Sequence, residues 1–201
     1  MIGILDIHKS DEQGEPIFLF FVAHPPKCAT NKFAREIQKH EHIGMDTLGN
    51  KSTHTLPSEI ISTQPSLWER WGHLPIYCMT RHPYERFESQ MGFVPVIMSM
   101  FGPTKFFDVD HGEGLFNSQW KHMTHNGILL DNIKQIKLED VTGTVFEIEG
   151  LEIDMRDKFW TQEDAYDRVD ITGFPQYKNN HSKEFVQKAY PDDFENLGYH
   201  K

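Results

Sequence analysis

Cysteine is nearly missing from this chain: Cys28 and Cys78 are the only two in 201 residues. Two thiols cannot make a four-thiolate zinc site or a disulfide framework, and both read as small buried hydrophobes. Long apolar runs are missing too. The longest, Ile17 to Ala23, is strand-sized and far short of the roughly 18 residues of a membrane helix. The start, Met1 to Lys9, has no basic stretch leading into a long apolar one, so no secretory signal is expected. The expectation is a cytoplasmic protein with no membrane partner. Positive charge is in deficit, with a net charge of −10 when histidine is neutral. A nucleic-acid partner calls for a basic face and is not expected here. A small anionic ligand needs only a local cluster of cations, because long-range repulsion is screened over about 10 Å in ordinary salt.

What is present suits one folded domain over residues 1–201. Hydrophobic residues make up 38% and aromatic residues 12% of the chain, enough for a real core. Residues 1–16 are polar after the first few and read as a lead-in. Residues 17–23 are continuously apolar, as in a strand covered on both faces. A helix is expected from Asn31 to His42, with Phe33, Ala34 and Ile37 inward. Gly44 to Thr55 reads as a polar loop, followed by a helix opened by Pro57. Pro75 to Thr80 is the second buried strand, and Pro83 opens the next helix. Residues 92–112 read as a loop or lid, and 115–124 as helical. Asn132 to Leu138 reads as a strand, 144–154 as a strand or hairpin, and Ser182 to Tyr190 as a helix. Strands alternating with helices predict an α/β layered fold with a mainly parallel sheet.

Two segments carry the chemistry. Phe18 to His24 runs into Pro25-Pro-Lys-Cys-Ala-Thr-Asn31, and Ile76 to Thr80 runs into Arg81-His-Pro-Tyr-Glu-Arg-Phe-Glu-Ser89. Each is a buried strand, a polar turn and then a helix. Such a turn aims free backbone N–H groups at an anion. In the first, small residues at Cys28, Ala29 and Thr30 allow close approach, Lys27 adds charge, and Thr30 and Asn31 add hydrogen bonds. In the second, Arg81 offers a bidentate grip on a phosphate, with Ser89 two helical turns on. Arg86 reads as a second cation or a solvated side chain. The plainer alternatives are an ordinary turn with an exposed lysine, and an arginine paired with Glu85 or Glu88. No glycine lies between Gly14 and Gly44, which excludes the G-x-x-x-x-G-K-[ST] loop and disfavours a nucleotide kinase.

In this order, the two segments resemble the sulfotransferases that use 3′-phosphoadenosine 5′-phosphosulfate (PAPS), and most of all their carbohydrate, Golgi-type branch. His24-Pro-Pro-Lys-Cys-Ala-Thr-Asn31 is similar to that family's 5′-phosphosulfate loop, H-x-P-K-x-x-x-T/S, with Asn31 where Thr or Ser is usual. Arg81 to Ser89 is similar to its 3′-phosphate motif, R-x-P-x-x-R-x-x-S. Two weaker echoes follow. Ile133-Lys-Gln-Ile-Lys-Leu-Glu-Asp-Val141 resembles a strand followed by E-D/N-L, and Tyr190-Pro-Asp-Asp-Phe-Glu-Asn-Leu-Gly-Tyr199 resembles a Y-x-x-D-F-x-x-F-G-Y tail. The likeness spans roughly residues 18 to 199.

The resemblance implies a three-layer, P-loop-NTPase-like central parallel sheet flanked by helices. It also implies in-line transfer of a sulfuryl group from PAPS to a hydroxyl or amine of a small-molecule or glycan acceptor. Lys27 would stabilise charge on the leaving phosphate. Lys27, Cys28, Ala29, Thr30, Asn31, Arg81 and Ser89 would hold the donor. A base near working pH is needed for the acceptor. His54 lies in the segment between the two motifs where the family's catalytic histidine falls, and Glu59 and Glu41 are rivals. His24 reads as structural. No metal is expected, because the pairs His40/His42 and His122/His125 lack an evident third ligand. Phe93, Phe101, Phe106, Phe107 and Trp120 read as core, with stacking on an acceptor ring as the alternative. A non-catalytic nucleotide- or sulfate-binding module is the competing function.

Overall fold

The computed structural model describes residues 4–47, 56–90, 117–157 and 183–201. A mixed five-stranded sheet stands at the centre. Its strands are β1 (Ile4–Ser10), β2 (Pro16–Ala23), β3 (Ile43–Thr47), β4 (Ile76–Thr80) and β7 (Ile133–Lys137), in the spatial order β3-β1-β2-β4-β7. β2, β4 and β7 run parallel. β1 is antiparallel to both β2 and β3. The sheet is therefore mixed, and only its β2-β4-β7 part matches the mainly parallel expectation.

β2 is apolar along its length because both faces of the sheet are covered. Phe20 and Val22 enter one core with Leu5, Ile7, Phe33, Ile37 and Met79. Phe21 and Ala23 enter the other with Ile60, Ile76, Cys78, Phe87 and Phe194. The alternation follows from the two-residue period of a strand. Helix α1 (Thr30–Gln38) covers the first face through Thr30, Phe33, Ala34 and Ile37, as its apolar spacing predicts. The hairpin β8 (Val145–Ile148) and β9 (Leu151–Asp154) packs beside it, with Phe146 stacked on Phe33 at 6.4 Å between centroids. On the second face lie α2 (Pro57–Thr63), α3 (Pro65–Trp71) and α4 (residues 83–90). The final helices α6 (Lys183–Ala189) and α7 (Pro191–Asn196) add Val186 and Phe194 to that core. A short α5 (Leu138–Val141) follows β7 directly. Within residues 117–124, the described part of the stretch expected to be helical, there is a 3₁₀ turn at Trp120–His122, and the two-residue strands β5 (Thr124–His125) and β6 (Ile128–Leu129) follow it.

Two further segments differ from the sequence reading. The supposed lead-in forms β1, with Leu5 and Ile7 buried. Its alternation is masked by Asp6 and His8, which bond to each other at 2.9 Å. The supposed polar loop after α1 opens with β3, where Gly44 faces His8: a Cβ there would lie 2.3 Å from the His8 ring. Close approach, not turn formation, accounts for that glycine. Among the described residues, no helix is long and apolar enough to cross a membrane.

Candidate functional site: two cationic loops at one sheet edge

β2 and β4 are parallel neighbours, with Ala23 opposite Cys78. Adjacent strands lie about 4.8 Å apart, so the two loops leave the sheet side by side. The first loop, residues 24–29, feeds α1. Lys27 and Ala29 both have left-handed backbones, with φ of 65° and 58°. These are the conformations a glycine-rich phosphate loop assigns to glycine, and here they are forced on side-chain-bearing residues. Such strain tends to gather at functional sites. Helix α1 starts without a side-chain cap and without an acidic residue in its first turn, so its N-terminal dipole is not offset locally. Thr30, at this end, is 2% exposed, and its hydroxyl has no hydrogen-bond partner among the described residues. Asn31 Oδ1 lies 3.2 Å from His24 Nε2, which ties the end of β2 to the start of α1.

The electrostatics of the pair are unusual. Burial, aided by the Arg81 charge, lowers the Lys27 pKa from its ordinary 10.5 to about 8. Two cations thus crowd one partly desolvated place, which favours an incoming anion. Arg81 also donates through Nε to Glu85 at 3.3 Å. That pair is exposed, with side-chain accessibilities of 27% and 56%. An exposed i,i+4 pair is worth only about 0.3–0.5 kcal/mol, so a phosphate competes easily for the guanidinium. Ser89 is half-buried on α4.

The second arginine of this loop has another job. Arg86 is 1% exposed and is not the solvated or ligand-facing cation its sequence position allowed. Its Nε donates to the carbonyl of Pro26 at 3.1 Å, its Nη2 to the carbonyl of Asn117, and its Nη1 lies 3.7 Å from Asp193. Asp193 is fully buried. Burial raises its pKa and Arg86 opposes that rise. Its oxygens also accept from the Gln119 and Trp120 N–H groups at 3.1 and 2.9 Å. Gln119 bridges the two loops. Its Oε1 accepts from the Cys28 thiol at 3.0 Å and from Arg81 N–H at 2.7 Å, while its Nε2 donates to the Arg81 carbonyl at 2.9 Å. Sequence reasoning missed Gln119 and Asp193 as organisers. The tail echo around Asp193 was a signal for one of them, but nothing in the run Asn117-Ser-Gln-Trp120 marks Gln119.

A third strand-to-helix unit closes the edge. Glu139, the first acid of α5, accepts from His82 N–H at 2.6 Å and from the Tyr199 hydroxyl at 3.3 Å. Tyr199 also contacts Thr80 Oγ1 at 2.9 Å, and Lys137 donates to the Gly198 carbonyl at 2.9 Å. The two weaker sequence echoes are thus in contact: the C-terminal tail is pinned across the ends of β4 and β7.

Among the base candidates, His54 lies outside the described residues. Glu59 accepts from the Leu56 N–H and caps α2. Glu41 is excluded by position. It precedes Ile43, which pairs with Lys9, and Lys9 pairs with Ile17 at the start of β2. Glu41 therefore sits at the opposite edge of the sheet. Cys28 and Cys78 are free, buried thiols. Burial pushes Cys28 up to about 12 and Cys78 well above its ordinary value, so neither is a nucleophile at neutral pH. Among the described residues no cluster of three metal-ligating side chains exists. Trp120 packs against the core; Phe93, Phe101, Phe106 and Phe107 lie outside the described residues. An open depression lined by Trp68, His73 and Asp131 lies at the sheet's other edge, where β4 and β7 begin, away from both loops.

No protein-family model matches the chain, and neither the curated proteins nor the solved structures yield a match.

Proposed function

We propose that the protein is a PAPS-dependent sulfotransferase built on a three-layer, P-loop-NTPase-like sheet. The observation that carries the reading is the convergence of Lys27 and Arg81 on loops leaving adjacent parallel strands, close enough for Arg81 to lower the Lys27 pKa. PAPS has an anionic group on each side of its ribose, and two loops that each offer a cation beside a helix start suit such a molecule. Lys27 and the N–H groups of residues 28–31 take the 5′-phosphosulfate, and Arg81 and Ser89 take the 3′-phosphate.

In the transfer, an acceptor oxygen or nitrogen attacks sulfur. The bond from sulfur to the bridging oxygen breaks, and its electron pair stays on the 5′-phosphate. The acceptor proton passes to a base, assigned to His54. Protonated Lys27 offsets the charge that grows on the bridging oxygen, where such stabilisation acts most strongly. The 3′-phosphate grip fixes the donor in register. No metal is assigned a role, and the acceptor is a small hydroxylated molecule or glycan.

The test has two readouts. Adenosine 3′,5′-bisphosphate is expected to raise the melting temperature, and label from radioactive PAPS is expected to reach a member of a hydroxylated acceptor panel. Both effects are expected to vanish in Lys27→Ala. Binding without transfer would favour a non-catalytic nucleotide-binding module. The amide of Asn31, bonded to His24 where the family carries a hydroxyl, is the observation on that side. No response to the bisphosphate would sink both readings.

A further inference from the structure

We propose that Gln119 is a positioning residue that sets the spacing of the two cationic loops, so that the site selects a ligand with two separated anionic groups over one with a single group. The inference rests on the donor-site reading and adds the element that makes the two half-sites act together.

Gln119 is fully buried, yet every polar atom of its side chain is in use. One amide oxygen accepts from both loops: from the thiol of Cys28, beside Lys27, and from the N–H of Arg81. The thiol stays protonated, since burial holds its pKa up to about 12, and so it remains a donor. The amide nitrogen returns a bond to the Arg81 carbonyl and another to Asp193 at 3.2 Å. The peptide of Arg81 is therefore gripped at both its N–H and its C=O by one side chain. Asp193 in turn holds the Gln119 backbone N–H and faces Arg86, whose guanidinium grips Pro26 in the first loop. The frame is closed: first loop, Gln119, second loop, Arg86, first loop.

Such a frame has work to do. Lys27 and Arg81 repel each other, and sheet pairing fixes only the strands beneath them. An unbraced pair of loops would spread and then lose entropy when a two-ended ligand drew them together. A braced pair has already lost it. A ligand held by one loop gains nothing from the brace. No other residue type supplies both an acceptor and two N–H donors on a neutral side chain of this length. Leucine has the shape without the bonds, and asparagine has the bonds without the reach.

The experiment compares calorimetric affinities for adenosine 3′,5′-bisphosphate, adenosine 5′-monophosphate and adenosine 3′-monophosphate. In Gln119→Leu the bisphosphate is expected to weaken about tenfold or more, while each monophosphate changes less than about twofold. Equal weakening of all three in a folded protein overturns the proposal, as does an unchanged bisphosphate affinity. If Gln119→Leu does not fold, Cys28→Ala removes the first-loop bond to Gln119 and the longer thiol contact to the Pro26 carbonyl at 3.7 Å, and it keeps the backbone N–H that faces the ligand. It is then expected to weaken the bisphosphate severalfold and spare the monophosphates, and no effect overturns the clasp. Wild-type protein that ignores the bisphosphate overturns the donor-site reading and the clasp with it. Wild-type binding with indifferent variants overturns the clasp alone.

Discussion

Lys27 is the residue on which charge, strain and proposed chemistry meet. Its pKa of about 8 lies below the ordinary 10.5, so in the ligand-free protein its charge is a cost. Folding is penalised while the lysine is charged in both states. The penalty is relieved as pH rises from about 8 to 10.5, where the folded state has released the proton and the unfolded chain still holds it. At 1.36 kcal/mol per unit the ceiling is about 3 kcal/mol. The difference in denaturant stability between Lys27→Met and wild type is expected to be largest below pH 8 and to shrink above it. Taking that difference cancels the opposing titration of the buried thiols. Anion binding has the opposite dependence, because the bound anion needs the charged lysine. Affinity for adenosine 3′,5′-bisphosphate is expected to fall about tenfold per unit above pH 8, with proton uptake on binding. A pH-independent affinity in calorimetry would separate Lys27 from the ligand. Ala29 tests the backbone at the same scale. A left-handed alanine costs about 1–2 kcal/mol, and glycine returns part of that as unfolded-state entropy. Ala29→Gly is expected to raise the melting temperature by a few degrees; a lower value would place the strain elsewhere.

At the scale of elements, the strand–loop–helix units were legible because their signals are local. Continuous apolar runs mark β2 and β4, prolines at 57 and 83 open helices, and inward spacing marks α1. β1 and β3 were not legible. Asp6 is buried against His8 and Gly44 makes room for the same ring, so the polar and glycine signals that ordinarily mark loops arise from a contact between strands. The charged joint between elements was equally hidden. Arg86 on α4 and Asp193 on α7 are over a hundred positions apart in sequence and meet in a buried ion pair. Breaking such a pair strands one charge in the core. Arg86→Met is expected to cost about 3–5 kcal/mol in denaturant unfolding. The double variant Arg86→Met/Asp193→Asn is expected to regain part of that, since it no longer buries an unpaired charge and the amide oxygen can still accept from the N–H groups that Asp193 holds. Equal losses in the single and double variants would show that the pair does not act as a unit.

Across the whole molecule, the tail completes the site edge. Tyr190, Asp193, Phe194, Leu197 and Tyr199 are all buried, and they close the core over β4 and α4. Deleting residues 191–201 removes three large buried side chains, each worth about 1.5–3 kcal/mol, and strands Arg86. That loss rivals the 5–15 kcal/mol of a typical domain. The truncated chain is expected to lack a cooperative thermal transition, and a sharp transition near the wild-type temperature would contradict the architecture.

The sequence by itself determined where the buried strands lie, which turns carry cations, and that those turns precede helices. These properties follow from periodicity and backbone chemistry within about a dozen neighbouring residues. Only the tertiary structure decided that the two turns leave adjacent parallel strands, that Arg86 is a core residue while Arg81 is free to exchange an exposed partner, and that Gln119 joins the two. Strand order and the partners of a buried polar group depend on contacts between distant parts of the chain. A sequence names the donors and acceptors, but only packing selects which of them meet away from water.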